Sequence, residues 1–201
     1  MARSHTTLLG EASGALEGTR LLLRGRPEAI ACFDFSQRGL AGSFIAPVLA
    51  CVAIVVFFGM AAGPARPFPS PAGQVFICGA LMTLRLGALR LVLSQLGALD
   101  AFRPYMVASN WASAIVAVGL LVATVIVTVG LALLLGPSSA QIIVGLILML
   151  WAAAAIALLV IEINIYRLIA RLGPGEIALA LLAQIGVLTA GALAMGYLPL
   201  A

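Results

Sequence analysis

The chain has 201 residues, of which 63% are hydrophobic and only 9% charged, and its net charge of +4 comes from arginine without any lysine. A soluble domain is about one quarter charged, so a chain this apolar would leave its outer surface coated in hydrocarbon; lipid, not water, has to be the main solvent. No basic run with interleaved aromatics occurs, which argues against a nucleic-acid partner and turns the positive charge towards membrane orientation and anionic lipid.

Residues 1–39 are the only sizeable polar part. From Thr7 to Arg24, Leu8, Ala12, Ala15, Leu16, Thr19 and Leu22 or Leu23 recur at helical spacing, with Glu11, Glu17, Arg20 and Arg24 on the remaining surface. The pattern predicts a helix lying on the membrane surface or packed on the bundle. Pro27 suits the first turn of a second short helix through Ala31. Asp34 is expected to cap the next helix, accepting from the Gln37 amide while Gln37 reaches back. Phe33 and Phe35 would then sit at headgroup level.

Five apolar runs follow, at about 40–62, 74–96, 107–135, 140–166 and 176–197. Each reaches the ~20 residues that a helix needs to cross ~30 Å of hydrocarbon. The connections carry the breakers: four prolines between Pro64 and Pro71, then Asp100, Arg103 and Pro104, then Gly136 to Ser139, then Gly173 to Gly175. The predicted fold is therefore all-α, a polytopic transmembrane bundle of five spans (40–201) behind an N-terminal interfacial helix in a cytoplasmic arm (1–39). No signal peptide is expected, because Arg24, Arg26 and Pro27 interrupt the short run from Leu21 to Leu23.

With the N-terminus inside, the inner segments hold Arg3, Arg20, Arg24, Arg26, Arg38, Arg103, Arg167 and Arg171, against Arg66 alone outside. This positive-inside bias predicts a cytoplasmic N-terminus and a C-terminus on the opposite side; the all-arginine, Ala- and Leu-rich usage fits a GC-rich bacterial genome, so the expected membrane is a bacterial inner one with the C-terminus periplasmic.

Ionisable and amide side chains inside spans are costly and point to function by default. The candidates are Arg85 and Arg90 in the second span, Asn110 opening the third, Glu162 and Asn164 in the fourth, and Gln184 in the fifth. At ~1.5 Å per residue, Arg90 lies ~12 Å from the inner edge and Arg85 ~20 Å, near mid-bilayer. Glu162 falls roughly 7–13 Å from the same edge, so it could meet either arginine. A cluster of Arg85, Arg90, Glu162, Asn164 and Asn110 would bind an anion or lipid headgroup, or would form a buried ion pair that sets helix register. Small residues line possible contact ridges: Gly42, Ala46 and Ala50; Ser109, Ser113 and Ala117; Gly186, Ala190 and Ala194; and the pair Gly59 and Gly63.

Cys32, Cys51 and Cys78 are odd in number and scattered, which fits small buried hydrophobes better than a disulfide framework or a metal site. The one histidine, His5, is near the N-terminus. No hydrolase, zinc-protease, phosphate-loop, dinucleotide or haem pattern is present, so no cofactor is expected. Asp34, Asp100 and Glu162 are too scattered to assign a membrane enzyme.

The stretches CFDFSQRGLAGSF (Cys32 to Phe44) and VASNWASAI (Val107 to Ile115) resemble a group of uncharacterised alphaproteobacterial membrane proteins, and Trp151 to Arg171 is similar to that group's fourth span. The layout of a polar arm and five spans is similar to the Yip family, without the long N-terminal region of its eukaryotic members. The resemblance implies a membrane-organising or partner-binding protein and transfers no catalytic residue. The expected role is non-enzymatic, with membrane lipids and either a membrane protein or a second copy as the expected partners. The alternative is a small transporter or channel built around Arg85 and Glu162.

Overall fold

A computed structural model describes residues 7–62, 71–135 and 140–196. The expected proline loop at 63–70, the turn at Gly136 to Ser139 and the tail from Tyr197 lie outside the described residues, as do Arg3, His5, Gly63 and Arg66. Every regular element among the described residues is helical: α1 Leu8–Leu23, a 3-10 turn Pro27–Cys32, α2 Gln37–Ala62, α3 Pro71–Gln95, α4 Phe102–Leu135, α5 Ala140–Ile165, a π-helical turn Tyr166–Ala170, and α6 Pro174–Gly196. A short 3-10 turn, Leu99–Ala101, precedes α4.

Helices α2 to α6 each contain a stretch long and apolar enough to cross a membrane. Their outer faces carry bare hydrocarbon, with Phe76, Ile126, Leu133, Leu148, Met149 and Leu182 all exposed. Such surface belongs in lipid, since soluble monomers rarely expose contiguous apolar patches of this kind. The chain is a multi-pass helical membrane protein.

Several helix ends fall earlier than the breakers suggest. Pro71 opens α3 and Pro174 opens α6, because a first-turn residue needs no backbone N–H and proline presets the helical φ. Pro104 is tolerated inside the first turn of α4 for the same reason, so that helix begins at Phe102 and not near Val107. The cap of α2 is also corrected. Ser36 Oγ accepts from the Gly39 amide at 3.1 Å, while Asp34 Oδ1 accepts from the Ser36 amide at 2.9 Å. Asp34 thus forms a local turn two residues before the helix, and Ser36 is the cap. Glu176 completes the start of α6 by accepting from the Gly173 amide at 2.8 Å, the backward half of a capping box.

The chain divides into two compact units. Unit 1 comprises residues 1–50 and 107–165: the arm, the first half of α2, most of α4, and α5. Unit 2 comprises residues 51–106 and 166–201: the rest of α2, α3, the start of α4, the π-helical turn and α6.

In unit 1, α1 packs on the 3-10 turn and on α5. Its buried face is Glu11, Ala15, Gly18, Thr19 and Leu22. Ala15, Thr19 and Leu22 belong to the stripe expected from the apolar periodicity, but the face is rotated: Leu8, Leu16 and Leu23 are exposed, and Glu11, expected on the polar surface, is only 6% exposed. Phe33 is corrected as well. It is buried, and its ring lies 2.7 Å from where a Cβ on Gly18 would stand, so it closes the arm's own core and not a headgroup layer. The arm helix ends in a Schellman motif: Gly25 at φ 66°, with the Arg26 amide bonded to Leu21 O at 3.0 Å and the Gly25 amide to Leu22 O at 2.9 Å.

In unit 2, α3 and α6 run antiparallel. Arg85 meets Gln184, whereas Leu81 and Leu84 approach Gly191, where an added Cβ would lie 3.0 Å from each. Close approach at Gly191 is the use of a small residue expected in a lipid-embedded pair. The expected ridge of the fifth span is displaced: Gly186 and Ala190 are exposed, and Ile177, Ala180 and Gln184 are buried.

Candidate functional site

Two polar groupings stand out, one in each unit. In unit 2, Arg85 occupies the middle of α3, ten residues from its end at Gln95, or ~15 Å along the axis. Its Nε donates to Gln184 Oε1 at 2.8 Å, and Nη2 donates to the Tyr105 hydroxyl at 3.4 Å. Gln184 Nε2 donates in turn to the Tyr105 hydroxyl at 3.3 Å and to the Tyr166 hydroxyl. The two phenol rings lie against each other with centroids 4.9 Å apart, and both tyrosines and Gln184 are buried. A charge deep in a span needs this kind of hydrogen-bonded company, because hydrocarbon offers none.

Local structure sets this grouping. Tyr105 stands in the first turn of α4. Tyr166 opens the π-helical turn, a wider winding often found at functional positions. The turn closes through Leu172 N to Tyr166 O at 3.2 Å, with Arg171 at φ 55°, a left-handed position usually given to glycine. Sequence reasoning named Gln184 but passed over both tyrosines. Their signal was weak, since Tyr at a span end ordinarily reads as an interface anchor.

In unit 1 the polar side chains tie the arm and the spans together. Ser109 Oγ donates to Glu162 Oε1 at 2.6 Å, joining α4 to α5. Asn110 Nδ2 donates to Ser43 Oγ at 3.3 Å, joining α4 to α2. Pro47 lies four residues after Ser43 and removes a backbone donor from that turn of α2. Asn164 Nδ2 donates to Leu22 O at 2.8 Å, a second bond to a carbonyl that the Gly25 amide already caps, and so ties the end of α1 to α5. Glu11 is buried against Gly42, where any Cβ would overlap its Oε2.

The expected set is thus distributed. Arg85 belongs to unit 2 with Gln184 and the two tyrosines. Asn110, Glu162 and Asn164 belong to unit 1, each bonded to a different partner there. Arg90 is exposed. Glu11, Ser43 and Ser109 join the unit 1 group. Glu11 was assigned to the polar face of the arm, and only the packing of α1 brings it inside.

The described residues contain no group of three or more His, Cys, Asp or Glu side chains able to hold a metal ion. Cys51 and Cys78, 27 positions apart in the chain, are brought together in unit 2 with thiol against thiol, and no cysteine is in a disulfide. Outside the spans, Glu17 and Arg20 form a two-pronged pair at 2.5 and 2.8 Å. The hydrogen bond from Arg20 holds the Glu17 carboxyl below its usual range. Both side chains are about half exposed, so the pair adds little to stability.

No protein-family model, curated protein or solved structure matches the chain.

Proposed function

We propose that the protein is a non-enzymatic organiser of the bacterial inner membrane, which holds lipid or a protein partner at the face where its arm lies. One observation carries this reading. The arm helix is fastened to two spans by its buried face, through Glu11 at Gly42 and Leu22 at Asn164, while its other flank keeps leucines and arginines open. A polar arm fastened in this way presents a fixed surface at the membrane and no chemistry of its own. The Yip-like layout supports the same role.

The test is purification of the full chain in mild detergent, followed by native mass spectrometry. Retained phospholipid or a stoichiometric protein partner is the expected result. A bare monomer, free of lipid and partner under every mild detergent tried, would sink the proposal.

The transporter or channel reading has one observation in its favour, an arginine held at mid-span by the Gln184 amide and the Tyr105 phenol. Vesicle flux that disappears in Arg85→Gln would move the function to that site.

A further inference from the structure

This inference rests on the proposed role and names the occupant of the arm's open flank. We infer that α1 lies in the plane of the membrane interface, with Leu9, Leu16 and Leu23 in the acyl region and with Arg24 on the phosphates of anionic lipid.

The placement of α1 follows from its two anchors. Glu11 touches Gly42, five residues into α2, and Leu22 O is bonded to Asn164, one residue from the end of α5. Along α1 the anchors are eleven residues apart, or ~16 Å, whereas each lies within ~9 Å of the end of the span it touches, the span of α5 running on through the π-helical turn to Ala170. A helix that bridges two spans close to their ends runs across those ends. It does not run down either span.

The occupant follows from what the anchoring leaves open. Leu9, Leu16 and Leu23 are 84%, 60% and 47% exposed. They recur every seven residues, which drifts only ~20° per step around a helix, so they form one stripe beside the buried face. Arg20, four residues beyond Leu16, and Arg24, next to Leu23, border the stripe on the side away from the bundle; Arg20 is paired with Glu17, which leaves exposed Arg24 as the cation for phosphate. Apolar stripe, adjacent cation and an axis in the plane are the three properties of an interfacial helix. The long arginine stem lets the guanidinium reach phosphate while the leucines stay in hydrocarbon. A protein partner would need a matching acidic groove, whereas anionic headgroups above acyl chains meet both requirements.

The experiment places p-benzoylphenylalanine at Leu16, or at Leu148 on an exposed span face as a control, in the full chain. Each protein is reconstituted in phosphatidylethanolamine vesicles with and without phosphatidylglycerol and irradiated. Lipid adducts at both positions are expected, and phosphatidylglycerol should be over-represented at Leu16 only. Arg24→Gln should reduce that preference about fivefold, the effect of one basic residue near an anionic surface; an unchanged preference in Arg24→Gln would overturn the headgroup contact. Adducts at Leu148 but none at Leu16, or adducts at Leu16 only to a second copy, would overturn the inference. A Leu16 adduct to another protein would overturn it too, yet leave the partner-holding role standing. A bare monomer in detergent would remove that role independently.

Discussion

Single residues decide how the arm is held. At Gly42 the absence of a side chain admits the Glu11 carboxylate, so Gly42→Ala should push the arm outward. The expected cost is about 1–3 kcal/mol, typical of forcing one extra carbon into a packed site. It would be read as faster tryptic cleavage at Arg20 and Arg24. Combining it with Glu11→Ala should restore much of the protection; equal cleavage in the single and double variants would refute the contact. Gln184 has a comparable role in unit 2, because its amide accepts from Arg85 and donates to both tyrosines. Gln184→Leu removes all three bonds in a dry setting and should cost about 1–3 kcal/mol or more, lowering the melting temperature in detergent. An unchanged melt would mean that water already serves those groups. Glu17 contributes only at its own pH range. Its carboxyl is depressed in the folded state, so its small contribution is complete above about pH 4.5 and is lost as pH falls through the folded value.

Among the elements, α1 teaches the most about reading periodicity. The leucines at 8, 9, 16 and 23 outweigh the buried face in hydrophobicity, and in a soluble protein they would have been its core. Here two apolar environments compete for one helix. The bundle takes the small residues Ala15 and Gly18 with Leu22, because small side chains let backbones approach, and the leucines are left exposed for the lipid we propose there. Helix ends follow a similar logic: Pro71, Pro104 and Pro174 read as breakers but sit where no N–H is needed. The meeting of Cys51 with Cys78 within unit 2 can be tested directly. Mild oxidation with copper–phenanthroline should link Cys51 to Cys78, giving a thiol count reduced by two and a shift on non-reducing gels. Cys78→Ser should abolish the shift and Cys32→Ser should leave it; an unlinked pair would contradict that contact.

For the whole molecule, arginine placement predicts the orientation. Alkaline phosphatase fused to the C-terminus should be active in the periplasm and a fused green fluorescent protein dark, as the positive-inside bias requires of five spans. The opposite pattern would mean that one span, most simply α3 with Arg85 and Arg90, does not cross. The all-helical class and the five helices long and apolar enough to cross a membrane were legible in the sequence by itself. Hydropathy is a local sum over about twenty residues, and every backbone group in lipid must bond within its own helix. Which polar residues meet was not legible, because that depends on helix rotation, and a rotation of a single residue step changes the neighbour. Tertiary packing alone brought Gln184 to Arg85, placed Tyr105 and Tyr166 around them, buried Glu11 against Gly42, and turned the leucine stripe of α1 outward.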